Sequence, residues 1–130
     1  LAIRGSPYLY RSGHEQMIML VLPKKGVDIT YFKTLISDFH LNSIGNEFFE
    51  ISALLFGEDK HMIIIKKFTN TKEAMDYYQL FLEDKKIMRV LNKSKYNLMP
   101  ISFENFQVFY KNKDTDGYNE FFIKNYIKTD

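Results

Sequence analysis

The 130-residue chain predicts an α+β fold, a four-stranded antiparallel sheet with helices laid on it, and three observations lead there. The run from Gln16 to Leu22 is almost wholly apolar and stops at Pro23. That suits a central strand covered on both faces and closed by a residue with no N–H for the ladder. Two segments carry apolar residues at helical spacing, Phe32, Leu35, Ile36, Phe39 and Ala74, Tyr77, Tyr78, Phe81, Leu82, so each needs a sheet to lie on. Two β-rich runs, "FFEISALLF" and "HMIIIKKF", flank "GEDK", a polar hairpin connection containing Gly57.

Taken in order, the first strand covers 15–23, and Asp28 caps a helix over 28–40. Strands over 48–56 and 61–68 pair antiparallel. Asn70 or Thr71 caps the second helix, 71–84, with Glu73 in its first turn, and a short helical segment follows through Ile87, Val90 and Leu91. "LMPI" supplies a strand over 97–101, which Pro100 assigns to a sheet edge. Ser102 opens a helix over 103–111 whose inner side is read as Phe103, Phe106 and Tyr110. A last helix over 116–127 groups Tyr118, Phe121, Phe122 and Tyr126. Laying Met17 on Met62 superposes "MIMLV" on "MIIIK", a faint twofold repetition. The order β-α-β-β-α-β is that of a ferredoxin-like split βαβ plan, with sheet order 4-1-3-2 and right-handed crossovers. Two extra C-terminal helices then have to cover the other sheet face or an edge. Residues 1–14 read as an irregular arm or linker, expected, with Leu1 in place of Met, to be cut from a longer polypeptide. Residues 15–130 form a single domain, long enough to bury roughly two thirds of the unfolded surface.

With 18 basic and 16 acidic residues interspersed to a net +2, nothing pulls the chain toward nucleic acid or an anionic membrane. The strands that would stack RNA bases in an RRM-like sheet are aliphatic. There is no cysteine, hence no disulfide, thiolate nucleophile or zinc ribbon. His14, His40 and His61 fall in the arm, at a helix end and at a strand start, away from any metal-ligand spacing. The longest apolar run, Met17 to Leu22, is far too short to span a bilayer, and these residues contain no segment with the charged start and apolar body of a signal peptide. No phosphate loop, dinucleotide fingerprint or zinc-peptidase motif is present, and Ser102 lacks the strained elbow of a nucleophile. No enzyme, cofactor or metal is expected. The segment "NKDTDG" sets Asn112, Asp114 and Asp116 at positions 1, 3 and 5 of a calcium loop, with Gly117 at 6. Position 12, which must give a bidentate carboxylate, is Ile123, so the segment is read as a helix connection with Asp114 or Asp116 as N-cap.

The anomaly is aromatic. Twelve Phe and nine Tyr are many for this length, and eight rings lie between Phe103 and Tyr126. More rings than two short helices need as cover imply an exposed remainder, and such a patch marks a contact surface. Phe109, off the Phe103–Phe106–Tyr110 stripe, and Tyr118, just after Gly117, are the expected docking rings.

Several segments together resemble a known family. "MIMLVLP", "LISDFHLN", "IIIKKFTNTKEAMDYYQLF", "MPISFENFQVFYKNKD" and "YNEFFIKNYI" are similar, over nearly all of residues 14 to 127, to the C-terminal domain of Bacteroidetes tetratricopeptide lipoproteins of gliding motility and type IX secretion, the PorW/SprE group. The resemblance implies a non-catalytic protein-interaction module facing the periplasm. It also implies association with the outer membrane through a lipidated N-terminus upstream of these residues, and partners among secretion or gliding proteins. A weaker resemblance, of "KKFTNTKEAMDYYQLF" to SPOR domains, implies instead a module that binds peptidoglycan through an open sheet face.

Overall fold

A computed structural model describes residues 6–45 and 49–127. Four strands, β1 (Gln16–Pro23), β2 (Glu50–Phe56), β3 (Lys60–Phe68) and β4 (Asn97–Ser102), form one antiparallel sheet. Its order β2-β3-β1-β4 has the same neighbours as 4-1-3-2 read from the opposite edge. Met19 of β1 lies between Ile64 of β3 and Met99 of β4, and Ala53 of β2 pairs with Ile63. The expected start of the second strand at Phe48 lies outside the described residues. Every β1 residue except Pro23 is buried, because both faces of the strand are covered.

On one face, Ile18, Leu20, Leu22, Ile63 and Ile65 meet α1 (Ile29–Phe39), α2 (Thr71–Glu83) and α3 (Lys85–Leu91). The inward residues are those the helical spacing singles out: Phe32, Leu35, Ile36 and Phe39 from α1, Ala74, Tyr77 and Phe81 from α2. On the other face, Met17, Met19, Val21, Met62, Ile64 and Met99 meet α4 (Phe103–Asn112) and α5 (Thr115–Phe122) through Phe109, Tyr118, Phe121 and Phe122. The sheet is therefore the middle of three layers, and the C-terminal helices close the face that two crossover helices leave open.

Each helix starts at a short polar side chain accepting a backbone N–H three residues on. Asp28 takes Tyr31 N–H, Asn70 takes Glu73, Asp84 takes Ile87, Ser102 takes Asn105 and Asp114 takes Gly117, all at 2.9–3.1 Å. The first helix is shorter than expected: after Phe39 the chain makes a π-helical turn, His40–Ile44, closed by Gly45 at φ 73°. The last helix likewise passes from α5 into a π-helical segment, Ile123–Ile127.

Two expectations are corrected. Phe109 and Tyr118, expected at the surface, are each 0 % exposed. On α4 the stripe is inverted: Ser102, Asn105 and Phe109 face inward, while Phe103 and Tyr110 are 51 % and 38 % exposed. Ser102 is both the last residue of β4 and the α4 cap, so the strand's burial fixes the phase of the helix. The inner stripe then begins Ser-Asn and the exposed side carries Phe103 and Tyr110, the opposite of what hydrophobicity alone selects.

Candidate docking surface

The inner face of the C-terminal layer is an aromatic stack. Phe56 lies nearly parallel to Phe109 at 5.3 Å, and Phe109 meets Tyr118 edge-on at 5.8 Å. The Tyr118 hydroxyl donates to the Pro100 carbonyl at 2.6 Å, which gives the buried ring its polar partner. Burial pushes its pKa far above the ordinary tyrosine value. These two rings are core, with no surface to offer.

What remains outside is the other side of α4. Phe106, half-buried, stacks on Tyr110 at 5.7 Å, and the Lys113 ammonium sits 4.7 Å above the Tyr110 ring. Lys113 is held there by its left-handed backbone, φ 55°, at the end of α4, and by donation to the Tyr110 carbonyl at 3.0 Å. Phe103 and Tyr110 thus present an outward apolar surface, with Phe106 packed partly against the core between them and a cation over the last ring, an arrangement that keeps rings ordered in water before any partner arrives.

The arm, read from sequence only as irregular, has no helix or strand over residues 6–15, yet it is built into this layer. Tyr8 is buried against Tyr118, edge-on at 4.9 Å, and 5.5 Å from Phe121. Leu9 N–H donates to Asn105 Oδ1 at 3.1 Å, and Asn105 Nδ2 donates to the Leu9 carbonyl at 2.7 Å. Buried Gln16 donates to the Arg11 and His14 carbonyls and accepts from the Tyr126 hydroxyl at 2.7 Å. Tyr8, Gln16 and Asn105 escape a sequence reading because their partners lie far along the chain. The available signal is "PYLY", three large side chains between Ser6 and Arg11.

The remaining candidate sites are structural. His40 is buried, its Nε2 2.7 Å from the Tyr77 hydroxyl, with Phe39 and Phe49 around it. Burial lowers the His40 pKa to about 4 and raises that of Tyr77, so both partners are uncharged at neutral pH and the pair holds no base tuned for catalysis. Asp114 is the cap of α5, and a Cβ on Gly117 would fall within the Asp114 carboxylate, which explains the glycine. Residues Thr115–Phe122, positions 4 to 11 of the calcium template, are wound into α5. Among the described residues no group of three or more His, Cys, Asp or Glu is placed to hold a metal ion. Among them, too, no helix is long and apolar enough to cross a membrane. A cleft of about 530 Å³ beside the β4 edge is lined by Tyr78, Leu82, Tyr96, Asn119, Phe122 and Ile123 with no charged side chain among its described lining. No family model, curated protein or solved structure matches the chain.

Proposed function

We propose that this domain is a non-catalytic protein-docking module of an outer-membrane lipoprotein supporting type IX secretion or gliding motility, and that it docks through the outer stripe of α4. The observation that carries the reading is the exposure of Phe103 and Tyr110 on a helix whose other side is sealed. An ordered aromatic patch of this kind is a contact surface in waiting. The segments that resemble the PorW/SprE C-terminal domain supply the biological setting: the periplasm, and partners among secretion or gliding proteins. The βαββαβ order and the sheet neighbours support a ferredoxin-like description of the fold, elaborated by α3, α4 and α5.

The glycan-binding alternative draws no support from the packing. A SPOR-like site needs an open sheet face, and Phe109, Tyr118, Phe121 and Phe122 fill the one that α1 and α2 leave. The test is capture from periplasmic extract with the parent and with a Phe103→Ser, Tyr110→Ser variant. Capture of secretion or gliding components by the parent, lost in a variant of equal melting temperature, supports the proposal. Retention of peptidoglycan strands by both, with no such protein, would overturn it.

A further inference from the structure

The arm lies on α4 and α5 in the manner of a bound peptide. Among the contacts that hold it, two of different kinds are central. The first is the Tyr8 ring, 4 % exposed, in a slot walled by Tyr118 and Phe121. The second is Asn105, whose side-chain amide pairs with both main-chain groups of Leu9, as a neighbouring strand would. A contact of that form reads backbone and ignores side chains, and the Leu9 side chain it brackets is indeed largely exposed, while the Tyr10 ring rests edge-on against Tyr126 at 5.1 Å. Asn105 Oδ1 also accepts from Arg11 Nη1 at 3.1 Å, and the Ser12 carbonyl accepts from Thr71 N–H at 2.8 Å. Asn105 is itself buried and polar, and its side chain bonds only to the arm, so it serves the arm and not the core.

The fit has one defect. The Tyr8 hydroxyl is buried without a hydrogen-bond partner among the described residues. Burial raises its pKa, and the Asp114 carboxylate raises it further, so no ionised form relieves the mismatch. A slot that accepts the ring and leaves the hydroxyl unpaired is a better slot for phenylalanine.

We infer that the α4–α5 surface is a binding site for an extended peptide that presents a phenylalanine immediately before the residue bracketed by Asn105. Residues 6–12 occupy it as an intramolecular stand-in that a better-fitting segment displaces. The occupant is a segment of another protein, not a second copy of this chain, whose arm carries the same unpaired tyrosine and gains nothing over the resident one. This inference uses neither the outer α4 stripe nor the secretion setting, so it and the proposed function can fail separately.

The experiment uses the whole chain carrying Tyr8→Ala, which empties the slot while leaving the tether, and labelled heptapeptides in fluorescence anisotropy. The peptides are SPYLYRS, the sequence of residues 6–12, and its forms with Phe or Ala in place of the first tyrosine. The Phe form should bind about tenfold more tightly than the Tyr form, the difference expected for one unpaired buried hydroxyl. The Ala form should not bind, and adding Asn105→Ala should abolish binding of both others. The parent should bind each more weakly than Tyr8→Ala does, because its arm competes at high effective concentration. Equal affinity for the three peptides, or no binding to a folded Tyr8→Ala chain, would overturn the inference. So would a parent that elutes as an arm-exchanged dimer. Should Tyr8→Ala fail to fold, Tyr8→Phe decides. A raised melting temperature supports the mismatch, and an unchanged or lowered one refutes it.

Discussion

Phe109 and Phe103 are six residues apart on one helix and do opposite things, because Ser102 sets the helix phase from inside the sheet. Phe109→Ala should therefore cost about 3–5 kcal/mol, the range for emptying a closed aromatic core, while Phe103→Ala should stay within about 0.5 kcal/mol. Urea unfolding of the two variants checks this pair of values. His40 gives a second prediction, in pH. Its pKa is about 4 in the folded chain against 6.5 for a free histidine, so the unfolded chain takes up the proton first. Its stabilising contribution is complete at neutral pH, begins to be lost as the pH falls below about 6.5, and is gone below about 4. Between pH 7 and pH 5 this group should remove about 2 kcal/mol of stability, and His40→Gln should flatten most of that fall. Denaturant unfolding at the two pH values measures it; a parent curve as flat as the variant's would contradict the buried neutral pair.

At the scale of elements, the capped starts translate directly into stability. Asp114→Ala removes the acceptor for Gly117 N–H and should lower stability by about 1 kcal/mol, with calcium leaving the melting temperature of parent and variant unchanged. A calcium-dependent rise in the parent that the variant loses would make the same residue a ligand instead of a cap. Elements were legible in the sequence wherever a single local rule decided them. The β1 run, the Phe32–Phe39 stripe and the polar residues before α1, α2, α4 and α5 are such places, and the strand bounds and helix starts there differ by one or two residues from those observed. The inner side of α4 was not legible, because its residues answer to distant partners: Ser102 to the sheet, Asn105 to Leu9, Phe109 to Phe56 and Tyr118. For the same reason the surface rings chosen from the sequence, Phe109 and Tyr118, lie in the core, while Phe103 and Tyr110, read as inner, form the exposed stripe. The density of rings announced a surplus; only the helix phase says which rings are surplus.

At the scale of the whole molecule, the three layers tie the fold to the proposed docking. A sheet covered on one face by α1, α2 and α3 leaves Met17, Met19, Met62, Ile64 and Met99 bare, and α4 and α5 bury them with their rings. Turning Phe109 inward necessarily turns Phe103 and Tyr110 outward, so the docking stripe is a by-product of closing the sheet. The arm reinforces that closure from outside through Tyr8 and Asn105, and Gln16 joins arm, sheet and the last helical segment in one hydrogen-bonded unit. Hydroxyl-radical footprinting with mass spectrometry tests this arrangement most directly, since ring oxidation follows solvent access residue by residue. The account predicts oxidation of Phe103 and Tyr110 in the native chain, with Phe109 and Tyr118 protected until the chain unfolds. Oxidation of Phe109 and Tyr118 at rates matching Phe103 under native conditions would show the C-terminal helices lifted from the sheet, and would contradict it.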